Sequence, residues 1–277
     1  MIGFGKAAPQ RRVTDVAVAT SDRLERFGFS FERGGAHIAR TMMLEDLSVL
    51  VSYVAQPEPT KTDYLRAVTE ENCLGKRSGR TRLLAYRHLA DLYSLDPSVT
   101  LFHALLYFWQ RDIPSRPLVA LLCAYARDSV LRSAASFILS LAEGAVMTRE
   151  SMETYLDEQE PGRFSRATLK STAQNINGTW TRSGHLVGHV RKVRSLPVSG
   201  SGAVAYALFL GFLTGARGQA LFQTEYTMLL GYPVPRALEL AEEASRRGWI
   251  VLKRVKDVVE VLFPNLLTDR EMEWVRE

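Results

Sequence analysis

The 277-residue chain carries 35 Lys or Arg against 30 Asp or Glu, with 46% hydrophobic residues and a pI near 9.3. It is too apolar for a disordered chain and long enough to bury one large core or two smaller ones, and its net charge of +5 favours an anionic partner. Its only cysteines, Cys73 and Cys123, lie in apolar helical contexts and point to a reduced, cytoplasmic setting.

In chain order, residues 1–40 lack steady periodicity, and Gly3, Gly5, Pro9 and the Gly34-Gly35 pair mark a weakly ordered or irregular arm. Regular structure is expected from Thr41, read as the cap of a helix with Met43, Leu47, Leu50, Val51 and Val54 on one face. After the break at Gln56 to Thr60, Thr60 caps a helix towards Asn72 and Ser78 caps one from Gly79 to Tyr93. Asp96-Pro97 signals a helix reaching Trp109, Ser115 and Pro117 another through Ala126, and Asp128 a sixth to Ala142, closed by Gly144. Six helices with short connections predict an all-α bundle over 41–144.

The 145–198 region reads as a helix-turn-helix with a wing. Thr148 opens a helix to Gln159, Pro161-Gly162 ends it, and Ser165 caps a longer one to about Trp180. Leu169, Ala173, Ile176 and Trp180 form its apolar stripe, and Arg166, Lys170, Gln174 and Asn177 a separate polar one. His185 to Arg194 is β-rich and predicts a short hairpin or extended arm. From Pro161 to Thr224 there are eight Lys or Arg and no Asp or Glu, leaving 27 basic against 30 acidic residues elsewhere, so the whole net positive charge lies here. A capped helix plus a basic wing is the element order of a winged helix, whose second helix enters a DNA major groove while the wing touches backbone. Candidate nucleic-acid contacts are Arg163, Arg166, Lys170, Gln174, Asn177, Arg182, Arg191, Lys192 and Arg194; the competing reading is a solvated basic face.

Residues 199–277 repeat the pattern. Ser199 to Gly202 reads as a flexible linker, and Ala203 to Thr214 is too short to span a membrane and predicts a buried helix. Thr224 caps a short helix, Pro235 begins one from Arg236 to Arg247, and Trp249–Arg254 and Val258–Phe263 alternate as two strands. Leu267 to Glu277 ends the chain as a short amphipathic helix. Glu239, Glu242 and Glu243 beside Arg236, Arg246 and Arg247 make this module's second helix nearly neutral, which suits a structural or protein-binding role better than a DNA-binding one. The fold class is therefore mainly α, a helical bundle followed by winged-helix-type modules with short β-hairpins.

A second basic cluster, Lys76, Arg77, Arg80 and Arg82, precedes and opens a helix, where free N–H groups favour an anion, though a plain solvated loop fits equally. His185 and His189 have no third donor nearby, so no metal is expected. Gly-x-Gly occurrences lack the strand–loop–helix context and lysine of a nucleotide loop, and no Ser/His/Asp or Cys/His order stands out. No cofactor or catalytic site is expected.

The segments ENCLGKRSGRTR (Glu71 to Arg82), LYSLDPSVTLFHAL (Leu92 to Leu105) and FSRATLKSTAQNINGTWTRSGHL (Phe164 to Leu186) resemble the BrxA family of BREX phage-defence systems, over roughly residues 42 to 266. The resemblance implies a NusB-like helical bundle joined to winged-helix elements. It also implies a small non-enzymatic DNA-binding component of a defence system that contains a methyltransferase and ATPases. The Lys76–Arg82 loop and the Arg166/Lys170 helix match the family's basic segments, whereas the longer N-terminus and well-formed C-terminal hairpin depart from it. The expected partner is double-stranded DNA bound largely through phosphates, with other defence-system proteins and self-association open. A protein scaffold and an RNA-binding antitermination-like protein are the alternatives.

Overall fold

The computed structural model describes residues 20–256 and 258–277; of the irregular arm expected over 1–40, residues 1–19 lie outside them, while 20–40 include a short helix over 20–26 and bury Leu24, Phe27, Phe29 and Ala36 in the core. Its helices are α1 (20–26), α2 (Leu44–Tyr53), α3 (Lys61–Thr69), α4 (Gly79–Tyr93), α5 (Thr100–Arg111), α6 (Arg116–Arg127), α7 (Ser129–Ser140), α8 (Arg149–Gln159), α9 (Arg166–Arg182), α10 (Ser201–Leu213), α11 (Glu225–Met228), α12 (Val234–Arg246) and α13 (Asp269–Arg276). Strands β1 (Val146–Met147), β2 (Leu186–Val187) and β3 (Lys192–Arg194) form one antiparallel sheet in the order β1-β3-β2, and β4 (Val251–Val255) and β5 (Val258–Leu262) a second. The molecule is mainly helical with two small sheets, as its sequence predicts.

Most predicted caps hold because each satisfies a local orphan N–H. Ser78 Oγ accepts from Thr81 N, Asp128 from Val130 and Leu131 N, Thr148 from Ser151 N and Ser165 from Thr168 N. Two starts are corrected. Thr41 Oγ1 accepts from Met43 N, and Met43 itself occupies the left-handed region (φ 49) as the cap of α2. Asp96 spends its carboxylate on Ser98 N and Oγ in a turn, so α5 begins only at Thr100.

Every residue of α10 is buried, because a helix apolar all round must be enclosed. It packs against α5 and α6 from the bundle and against α11 and α12 from the C-terminal module, so one core serves both halves of the chain. Ser199–Gly202 is no flexible linker. Gly202 N donates to the buried Asp112 carboxylate (2.7 Å) and Gly200 N to Ser115 Oγ (2.9 Å), so an acid borrowed from the end of α5 caps α10. A Cβ at Gly200 or Gly202 would fall within 2.5–2.7 Å of these groups.

The order α7–β1–α8–α9–β2–β3, with β3 between β1 and β2, is that of a winged helix. The register pairs Val146 with Val193 and Leu186 with Arg194. The wing turns at Gly188 (φ +100), where a Cβ would sit 2.1 Å from Arg191 O. The second module runs α10, a 3-10 turn over Gly218–Gln223, α11, α12 and the β4–β5 hairpin.

Candidate nucleic-acid interface

Helix α9 has three faces. Leu169, Ala173, Ile176 and Trp180 carry its apolar face, of which Ala173, Ile176 and Trp180 are fully buried, and α8 packs alongside. Asn175, Gly178, Thr179 and Arg182, at i, i+3, i+4 and i+7, lie under the segment leading into α2. Asn175 Nδ2 donates to His37 O (3.2 Å), Met42 N to Thr179 Oγ1 (2.8 Å), and Arg182 Nε to both oxygens of Glu45 (3.0 and 3.1 Å). Thr41 packs against Gly178, where a Cβ would meet its Cγ2 at 2.9 Å.

The third face is the polar stripe, and its two halves differ. Arg166, Lys170 and Gln174 are exposed, one helical turn apart, with no ion-pair partner for either cation among the described residues. Asn177 has the same angular position but is buried, and its Nδ2 donates to Thr148 O (3.4 Å). Thr181 receives Lys192 Nζ at 2.7 Å, so the base of the wing crosses this half of the helix. Burial, and then the charge of Arg182, lowers the Lys192 ammonium pKa from its usual value. The available part of α9 is therefore its N-terminal half, the part that meets base edges when such a helix enters a groove.

The wing divides in the same way. Arg194 is buried and donates to His185 O (3.2 Å) and to Ser195 O, with its pKa lowered by desolvation. At the tip, His189 and Arg191 are exposed and Val190 is 94% exposed. Between tip and helix runs a groove of about 550 Å³ lined by Thr148, Gln174, Asn177, His189, Val190 and Arg191 among others. Arg163 is half-buried, ion-paired with Glu160 and stacked 4.8 Å from the Phe164 ring. Exposed Asp157 and Glu158, at the C-terminal end of α8, add carboxylates to the helix-turn-helix and restrict the poses an anionic ligand can take.

In the second cluster, Lys76 Nζ holds both oxygens of Asp46 (2.9 and 3.0 Å) and Arg82 Nη1 donates to Thr69 O (3.1 Å). Arg77 and Arg80 are exposed and uncommitted among the described residues. Of the thirteen residues read from the sequence, Arg77, Arg80, Arg166, Lys170, Gln174 and Arg191 present free polar groups, while the others are spent on protein partners or buried.

Sequence reasoning missed the chain Asp128–His37–Thr179. His37 Nδ1 lies 2.8 Å from Asp128 Oδ2 and its Nε2 lies 2.9 Å from Thr179 Oγ1. Burial pushes the Asp128 carboxyl up, but the His37 ring and donors from Leu131 N and His37 N together hold it below its usual value. The connectivity is that of an acid–imidazole–hydroxyl relay, yet the three are at most 1% exposed and Thr179 Oγ1 already accepts from Met42 N. The chain thus works as a buried tether joining the segment before α2 to α7 and α9. Gly35 (φ +153) permits the close approach, since a Cβ there would lie 2.3 Å from Asp128 Oδ1. The readable traces were the Asp128 cap and the Gly34-Gly35 pair.

His185 and His189 do not act together. His185 is fully buried, with Nδ1 2.8 Å from Ser183 Oγ and Nε2 donating to Leu229 O at 2.7 Å, and burial drives its pKa down to about 4. It links the two winged modules as a neutral imidazole.

No protein-family model and no curated protein matches this chain.

Proposed function

We propose that the protein binds double-stranded DNA without catalysing a reaction, through the N-terminal half of α9 and the β2–β3 wing. The observation that carries this reading is the exposed set Arg166, Lys170, Gln174 and Arg191, whose three cations have no carboxylate partner among the described residues. Three uncommitted cations on a helix and a wing neutralise phosphates. Gln174, one turn further along, has the paired donor and acceptor that suit an adenine edge. The resemblance to BrxA supports a place in a bacterial anti-phage system, as its DNA-binding component. The test is a polarisation titration of duplex DNA, single-stranded DNA and RNA with wild type and R166A/K170A/R191A. The variant is expected to lose at least about tenfold in duplex affinity at low salt, and its log–log salt slope to flatten by about 3. Equal affinities for wild type and variant overturn the reading, and a preference for RNA transfers the same surface to a different polymer.

A further inference from the structure

The first turn of α2 carries two consecutive acids that reach in different directions. Glu45 presents both carboxylate oxygens to Arg182 at the end of α9, and Asp46 presents both of its own to Lys76 ahead of α4. The Glu45 side chain is 68% exposed and that of Arg182 36%, while Lys76 and Asp46 are 31% and 25% exposed. These two pairs join the basic clusters that the sequence separates by about a hundred positions. From the wing the cations run Arg191, Lys192, Arg182, then across α2 to Lys76, Arg77 and Arg80. Arg182 lies close enough to Lys192 to lower its pKa. Among the described residues, only the middle of this run is ion-paired, by Glu45 and Asp46.

We propose that the duplex-binding surface continues from the wing across the first turn of α2 to the loop before α4, and that Glu45 and Asp46 hold its central cations in place of phosphate oxygens until DNA displaces them. This rests on the reading that α9 and the wing grip a duplex. A carboxylate and a phosphate both offer two oxygens to one guanidinium or ammonium, so the exchange keeps the cations' geometry. Exposed pairs such as Arg182–Glu45 hold weakly in water, whereas each phosphate neutralised releases counterions. The occupant is a duplex because the run is extended and carries Arg77 and Arg80, exposed and without an ion-pair partner among the described residues, at its far end. Among the described residues it also bears no row of exposed aromatic rings on which single-stranded bases would stack.

The test uses the full chain, a duplex of about 12 bp that the winged helix alone covers and one of about 30 bp. E45Q/D46N is expected to bind the longer duplex about threefold or more tighter at low salt, with a log–log salt slope steeper by about 1 to 2. E239Q/E260Q, the same change of charge in the second module, is expected to leave it unchanged. R77A/R80A, which alters two exposed uncommitted side chains, is expected to weaken the longer duplex about threefold and leave the shorter one unaffected. If wild type binds both duplexes while E45Q/D46N gains nothing, or gains no more than E239Q/E260Q, the inference falls and the winged-helix reading stands. If R77A/R80A binds the longer duplex as wild type does, the inference falls likewise. If no form binds either duplex, both fall.

Discussion

The two winged modules have the same plan and opposite electrostatics. In each, a helix is followed by an antiparallel hairpin, yet among the described residues α9 presents Arg166 and Lys170 with no ion-pair partner, while α12 and its hairpin pair three of their cations and leave Arg246 and Arg254 exposed. Arg236 pairs with Glu239 (2.7 Å), Arg247 pairs with Glu243 one turn away, and Lys253 crosses the hairpin to Glu260 (3.3 Å). A cation paired at i+3 or i+4 must give up that partner before it can take a phosphate, and the carboxylate left behind repels the same phosphate. Backbone shape alone therefore does not say which module meets an anion; the pairing of its charges does. The second module instead offers a groove of about 470 Å³ floored by Phe222, Leu238 and Val259, a surface of a different character.

The modules also differ in how they are held, and this can be broken experimentally. His37→Ala removes the centre of the buried tether behind α9 and leaves Asp128 and Thr179 short of a partner. The expected cost is about 3 kcal/mol or more in urea unfolding, and a loss below about 1 kcal/mol would mean that the tether carries little.

Acid acts at the joint between the modules. The folded pKa of His185, about 4, lies below the ordinary value of 6.5, so between these pH values the unfolded chain binds the proton and the folded one does not. The stability that a neutral His185 contributes is therefore complete above pH 6.5 and is lost as the pH drops towards 4, about 3 kcal/mol from this group. His185→Gln is expected to flatten that part of the profile, and an unaltered profile would assign the acid sensitivity to other groups.

The turns give a smaller contrast. Gly188→Ala forces a Cβ onto Arg191 O and should cost about 2 kcal/mol while weakening duplex binding through the displaced wing tip. Gly248→Ala, ahead of β4, meets no atom within 4 Å and should cost only the positive-φ penalty of about 1 kcal/mol, with binding unchanged. Equal effects of the two on binding would remove the wing from the interface. Least of all, Arg236→Ala on the exposed face of α12 should move Tm by less than about 2 °C.

Local rules made much of this legible from the sequence. The caps at Ser78, Asp128, Thr148 and Ser165 are side-chain to backbone bonds within three residues, and the enclosure of α10 follows from its lack of any polar face. What pairs across the chain was not legible. β1 is two residues long, and only β3, more than forty positions away, makes it a strand. Asn177 shares the angular position of Arg166, but periodicity cannot tell that Thr148 and the wing base cover one half of the helix and not the other. Arg182 and Lys76 read as free cations until α2 delivers Glu45 and Asp46 to them, and nothing near His37 in the sequence announces Asp128 and Thr179, which reach it from distant helices.

The central claim is that the unpaired charges of the first module, and not the paired ones of the second, hold DNA. It is tested most directly by one salt series on a single duplex, comparing R166A/K170A/R191A with R236A/R247A/K253A. Both variants lose three positive charges. The first is expected to bind at least about tenfold more weakly with a slope flatter by about 3, and the second to stay within about twofold of wild type. Equal losses in the two, or a larger loss in the second, would contradict it.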